Sequence, residues 1–377
     1  MVSPVIPRVH EERDAGGART ISAVRTSITA FVDEFQAGPL DKPVRCTGYA
    51  SFEGEFGPSA DLRQFFENGG REAWVLNTSG FTDLEVLEEI DQFDLLCLPG
   101  APELPPDEMR AAYAAALRCC ERRRAFLIVD IPRTVDTPRD MQAWLADNEA
   151  LRHRNAAVYF PRMLVWDPVE PSRPREIGAS GTMAGLYARI DATRGVWKPP
   201  AGTEARLYGT EGFVYPLGDA EQESLEALGV NCLRALPRFG YLCWGARTLD
   251  RQYIAVRRLA LFIEESLQRG TAWVVYEPND ERLWLRIRLV VAEFMAGLWR
   301  SGALAGSTTE EAYFVDCGPE TMTQDDIDNG RVIIEVGFAP TRPAEFVIIK
   351  IQQIARDGCQ QGERARAPSR SGGASQV

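Results

Sequence analysis

The runs YIAVRRL (253–259), GTAWVVYEPNDERLW (270–284), TMTQDDIDNG (321–330) and PAEFVIIK (343–350) follow one another along the C-terminal part of the chain. The first predicts a helix over 250–269 with a polar arc of Arg251, Arg257, Arg258, Glu264, Glu265 and Gln268. The rest of that helix is mostly apolar, with Ile254 and Leu261 breaking the pattern. In the second run, Glu277-Pro278-Asn279-Asp280-Glu281 reads as a cap that opens a helix over 280–300. Leu283, Ile287, Val290, Val291, Phe294 and Leu298 recur there at helical spacing. Thr323 then caps a short helix whose acidic first turn suits the helix dipole. Asn329-Gly330 supplies a positive-φ turn into a strand over 331–338, and a second β-rich run covers 345–351. Trp273, Trp284 and Trp299 fit the core of the same region, with Trp284 the most exposed of the three.

Towards the N-terminus the pattern changes. From residue 91, short apolar strands at 93–98, 125–130 and 156–160 alternate with helices at 106–122 and 138–148. Continuous apolar strands between helices predict a parallel sheet covered on both faces. Residues 61–70 predict a helix stopped by Asn68-Gly69-Gly70. Residues 28–32 and 73–76 read as strands, and a further helix follows Gly178-Ala179-Ser180-Gly181. Residues 1–20 carry two prolines and a Gly-Gly pair and predict an extended arm. From residue 355 the chain is polar and rich in Gly, Ser and Arg, a composition that predicts disorder.

Of the 377 residues 45% are hydrophobic and 25% charged, enough for two or three cored domains. The net charge of −12 speaks against a nucleic-acid coat, because phosphate binding needs concentrated Lys and Arg. The eight cysteines include no C-x-x-C pair and there are only two histidines, so zinc and disulfide frameworks are excluded and cytoplasmic synthesis is expected. The N-terminus shows no charged segment followed by an apolar run, which predicts no secretion signal. Uninterrupted apolar runs stay well short of the roughly 18 residues of a membrane span.

Signs of catalysis are thin. Asp130 ends an apolar strand, the place where an open α/β sheet carries its ligands, so an α/β enzyme centred on it is one alternative. Against it, the chain has neither G-x-G-x-x-G after the first strand, nor a phosphate loop, nor a nucleophile elbow. His153 lies in the polar run Arg152-His153-Arg154-Asn155 and reads as a solvated helix-end histidine. Asp325-Asp326-Ile327-Asp328-Asn329-Gly330 fails as a calcium loop, since its Gly comes one position early and Gly337 occupies the slot of the closing Glu. The residues predict no catalytic group, no metal and no cofactor.

Taken together, the four C-terminal runs resemble the C-terminal domain of contractile tail sheath proteins. The resemblance extends to RQFFENGG (63–70), LPGAP (98–102) and RIDATRGVWK (189–198). It implies an α/β chain: an α+β inner sheath domain built from 21–90 and 245–354, a subtilisin-like α/β outer domain at 91–244, and extended terminal arms at 1–20 and beyond 354. It also implies a non-catalytic subunit that self-associates as stacked six-subunit rings around an inner tube, meets baseplate and terminal cap proteins, and binds neither nucleic acid nor membrane. Assembly in the producing cell's cytoplasm into a phage tail or tail-like particle follows from the same resemblance. Exchanged arms would place Val5, Ile6 and Val9, and Phe346, Val347, Ile348 and Ile349, at inter-subunit strands. The tube would be gripped by one of two charged faces, either Arg251, Arg257, Arg258 and Glu265, or Arg282, Arg286 and Glu293. A non-polymerising sheath-like accessory or cap protein is the remaining alternative.

Overall fold

The structure, a computed structural model, describes residues 19–169, 173–341 and 346–355. The chain divides into two compact units: Val24–Ile263, and a second built from Met1–Ala23 with Glu264–Val377. Val5, Ile6 and Val9 lie outside the described residues.

The unit Val24–Ile263 is organised by an eight-stranded sheet. Its strands are β1 (Thr29–Asp33), β2 (Val44–Cys46), β3 (Ala73–Asn77), β4 (Leu95–Cys97), β5 (Phe126–Val129), β6 (Ala156–Phe160), and, after the small sheet described below, β10 (Val230–Leu236) and β11 (Gly240–Cys243). The order across the sheet is β11-β10-β6-β5-β4-β1-β3-β2. The six strands from β10 to β3 are parallel, and β11 and β2 close the two edges antiparallel. Side chains alternate across the sheet as strand geometry requires. Ala30, Val32, Leu96, Leu127 and Val158 face one core, together with helices α3 (Pro106–Arg123) and α4 (Pro138–Asp147). Phe31, Leu95, Cys97, Phe126, Ile128 and Tyr159 face the other, against α1 (Tyr49–Phe56), α2 (Ala60–Glu67) and α5 (Ser180–Arg194). A three-stranded antiparallel sheet of β7 (Met163–Trp166), β8 (Pro174–Ile177) and β9 (Thr210–Phe213), and helix α6 (Asp219–Glu226), complete the unit.

Helix α5 approaches α2 at backbone range because it presents glycines there. A Cβ on Gly181 would stand 2.3 Å from the Asp61 carbonyl oxygen, and one on Gly185 would stand 2.3 Å from that of Phe65. Asn68, buried at the end of α2, ties the pair to the following loop: its amide donates to the Gln64 and Tyr208 carbonyls at 3.0 Å each.

Sheet membership corrects the domain boundaries read from sequence. The sequence resemblance groups residues 21–90 with 245–354, yet β1 and β3 are interior strands of the large parallel sheet, with β1 paired between β3 and β4. A short apolar strand carries no local mark of its partner, so pairing over this separation is invisible in the pattern. The second boundary also moves. Helix α7 (Ile254–Gly270) begins in the first unit and ends in the second, instead of opening a new domain at 245.

The second unit holds α8 (Glu281–Arg300), α9 (Thr309–Ala312), α10 (Gln324–Asp328) and a three-stranded antiparallel sheet. That sheet orders β12 (Tyr313–Asp316), β13 (Arg331–Phe338) and β14 (Val347–Ile354) consecutively. Its caps match the sequence reading. Asp280 accepts from the Leu283 amide at 2.9 Å, and Thr323 forms a reciprocal capping box with Asp326. Gly330 takes φ 68° in the turn before β13. Buried stripes come from α8 (Leu283, Ile287, Val291, Met295, Leu298) and from the sheet (Val332, Ile334, Val336, Ile349, Ile351). Trp284 is buried, not exposed, because its Nε1–H finds the Asn279 side-chain oxygen at 2.7 Å.

Candidate assembly interface

The longest strand pairing in the second unit ends in an open edge. β14 pairs with β13 over its full length, from Phe338↔Val347 to Arg331↔Ile354. On its other side no strand pairs with it among the described residues. Alternation points Ile349, Ile351 and Gln353 inward, and Gln353 donates to the Gln268 carbonyl and the Thr271 hydroxyl at 2.9 Å each. Ile348 and Ile354 point outward, 54% and 61% exposed. Phe346, just ahead of the strand, stacks on Phe314 at 6.3 Å between ring centres, and the Phe314 ring lies over Gly337, where a Cβ would collide with it. The outward face therefore carries an apolar patch of Phe314, Phe346 and Ile348. Of the four interface residues expected here, Phe346 and Ile348 are exposed and Val347 is half-buried. Ile349 belongs to the unit's own core, so its side chain is withdrawn from any interface.

The charged helix faces divide more sharply. Arg251 is exposed ahead of α7 at φ 70°. Arg257 and Arg258 are buried and drop out as surface contacts. Arg257 donates from Nε to the Asn155 side-chain oxygen at 2.6 Å. Arg258 forms a two-pronged pair with Asp191 of α5 (2.9 and 2.7 Å), donates to the Thr26 carbonyl at 2.7 Å, and lies 4.6 Å over the Tyr187 ring. Burial works against its charge, but Asp191 more than offsets this and raises the guanidinium's pKa. Helical spacing alone puts both arginines on a polar arc. A carboxylate 67 positions earlier in the chain draws Arg258 inward instead. Glu265 pairs with Arg269 at 2.6 Å. On α8, Arg282 is exposed, and Arg286 reaches Glu277 at 3.3 Å and stands 4.9 Å over the Trp273 ring. Leu285 and Leu289 lie exposed on the same helix, 52% and 63%.

Asp33 and Asp130 stand at the C-terminal ends of β1 and β5, and Asp61 in the first turn of α2. The charge of Asp130 raises the pKa of Asp33 and of Asp61, and Asp33 adds to it at Asp61. Burial first, and then these like charges, push Asp33 and Asp61 up to about 7. Asp130 is the acceptor that holds the start of α5: the Ser180 amide donates to it at 2.8 Å, and the Ser180 hydroxyl donates as well. A Cβ on Gly178 would fall 2.3 Å from its carboxyl carbon, so the group is walled in. His153 bonds Glu121, in the last turn of α3, at 2.9 Å. Among the described residues no group of three or more His, Cys, Asp or Glu side chains is arranged to hold a metal. The acidic run before β13 instead pairs with Arg331, 2.7 Å from Asp326. Hydrogen bonds from Thr323 and Arg331 hold the Asp326 carboxyl down at about 2.

A structure of the anti-feeding prophage helical sheath in its contracted state has the same fold, with a TM-score of 0.71. The two sequences are 30% identical, and the match covers 93% of this chain and 100% of that one. The chain belongs to the contractile tail sheath protein family. Residues 249–354 match the phage tail sheath C-terminal domain family on their own. A chain from an extracellular contractile injection system, the PVC sheath complex in its contracted state, is similar at 29% identity and TM-score 0.72, covering 94% of this sheath protein and 99% of that chain. A chain in the anti-feeding prophage baseplate structure matches at 31% identity and TM-score 0.72, covering 93% and 99%. The putative prophage major tail sheath protein of Pseudomonas aeruginosa is 25% identical over 64% of this chain, which spans 61% of that protein's length.

Two clusters in this sheath protein escaped the sequence reading. One is the network of Arg258, Asp191, Thr26 and Tyr187. The other is Trp273, which is stacked between Arg19 (4.3 Å) and Arg286 (4.9 Å). Asp191 lies in the run RIDATRGVWK and Trp273 in GTAWVVYEPNDERLW, but nothing local marks their distant partners.

Proposed function

We propose that this sheath protein polymerises as stacked six-subunit rings around an inner tube and contracts to drive that tube through a target envelope. The observation that supports this most directly is β14, an eight-residue strand whose outer edge pairs with no other strand among the described residues, with Phe346 just ahead of it and Ile348 within it exposed. An uncovered apolar edge is a liability in a lone subunit, and a second copy's extended segment can add a strand to it. Residues 1–20, with Val5, Ile6 and Val9 as apolar positions, are that segment. Such a contact joins different surfaces of successive copies, and repeated along a screw axis it builds a tube. The tube contact falls to the α8 face of Arg282, Leu285 and Leu289, because Arg257 and Arg258 are committed inside their own unit. Baseplate and terminal cap proteins would meet the two ends of the assembly, which forms in the cytoplasm of the producing cell.

The test is negative-stain microscopy of the purified protein with and without its inner tube protein. Hollow tubes with six-fold cross-sections, lost when residues 1–20 are deleted, are expected. Small uniform particles that persist with the tube protein present would refute polymerisation. They would favour a sheath-like accessory role, a second reading encouraged by the match to a chain within a baseplate structure.

A further inference from the structure

Residues 19–21 do not leave the second unit freely. Trp273 is buried, and two guanidinium groups stack on it, Arg19 at 4.3 Å and Arg286 at 4.9 Å. Both arginines pair with one carboxylate: Glu277 lies 3.1 Å from Arg19 and 3.3 Å from Arg286. That shared counter-charge lowers the repulsion between two cations held against one ring. Two residues on, Ile21 packs so closely on Gly270 at the end of α7 that a Cβ there would stand 2.7 Å from its side chain. The same segment is held again within the other unit, where the Thr26 hydroxyl donates to Asp191 at 2.7 Å and the Ile28 amide to Asp94 at 2.9 Å.

We propose that Arg19, Trp273, Glu277 and Arg286 form the anchor of the N-terminal arm, so that the segment exchanged with a second copy of this chain ends at residue 18. The inference rests on the arm-exchange reading above and deepens it. The anchor fixes where the arm leaves its own subunit, and therefore how far it reaches to the next. It gives Arg286 a role inside its own subunit in place of one on the tube. Pulling on an exchanged arm loads this cluster before it loads β1, so the cluster decides whether the arm lengthens under tension or holds.

The test is amide hydrogen exchange on the full-length, unassembled protein, read over residues 19–23. Arg19→Ala removes one stacked cation and one ion pair, and exchange there should rise about tenfold. Glu277→Gln, which changes no volume, should act in the same direction. Unchanged exchange in both variants overturns the anchor. Tube formation by the wild type, followed separately, keeps the two readings apart. Tubes with unchanged exchange in the variants refute the anchor and leave the sheath reading standing. Accelerated exchange in a protein that forms no tubes, even with its inner tube protein, leaves the cluster as a feature of the subunit and refutes its role in arm exchange.

Discussion

Replacing Arg258 with methionine separates a buried structural ion pair from a surface contact. Both Arg258 and Asp191 side chains are 4% exposed at a separation of 2.7 Å. The substitution keeps most of the apolar stem and removes three charge-assisted hydrogen bonds, two to Asp191 and one to the Thr26 carbonyl. Asp191 is then left charged in a dry site with only the Thr26 hydroxyl for company. Breaking a buried pair from one side costs about 3–5 kcal/mol. A unit of this size loses about 2–4 °C of melting temperature per kcal/mol, so Arg258→Met should lower the transition of Val24–Ile263 by roughly 6–20 °C. Calorimetry of the unassembled protein reads this directly. Asp191→Asn added to Arg258→Met removes the stranded charge, and the double variant should melt above the single one. A loss below about 1 kcal/mol, or a double variant that merely sums the two single losses, would refute the reasoning and return Arg258 to the surface.

Three further outcomes follow from other parts of the structure. Asp33, Asp61 and Asp94 are each pushed from 3.8 up to about 7, chiefly by burial. Between those values the folded state keeps protons that the unfolded chain has lost, so stability should fall as pH rises from about 4 to about 7 and level off above. Urea midpoints across that range check it, and Asp61→Asn should flatten the slope. Gly185→Val forces a side chain into the 2.3 Å gap before the Phe65 carbonyl and should cost about 1–3 kcal/mol by urea unfolding; an unchanged midpoint would mean that α2 and α5 do not meet there. Ile348→Lys alters a residue 54% exposed and should leave the subunit's melting within about 0.5 kcal/mol while abolishing sheath formation. Tubes of normal yield would remove the β14 face from the assembly contact.

The sequence was most readable where a decision is local. Thr323 and Asp280 cap their helices as their neighbours dictate, and Leu95–Cys97, Phe126–Val129 and Ala156–Phe160 form buried strands because each is apolar on both faces. It was least readable where the partner is remote. β1 joins β4 and β3 in one sheet through backbone bonds that no pattern announces. Arg257 and Arg258 look like surface residues until Asn155 and Asp191 are brought to them. The stretch 203–243 shows no period from which an element can be read. There β9 is only four residues long, and β10 changes from buried to half-exposed along its length, which hides its period. At the interface, alternation along β14 could have separated Ile349 from Ile348. That needed only the inward register, which the pairing with β13 supplies.

The hydrogen bond from Arg258 to the Thr26 carbonyl has a consequence for modularity. Val24–Ile263 is a continuous insert in a unit made from what comes before and after it, and this bond, at 2.7 Å, ties the insert's entry segment ahead of β1 to the helix α7 by which the chain leaves it. A domain entered and left through one doorway can be cut out, circularised or exchanged without stretching its host. The strand edge, the arm anchor and the α8 face all lie in the host. A designer could therefore enlarge the insert, or swap it for a reporter or a receptor-binding domain, and keep the parts proposed above to join one subunit to the next.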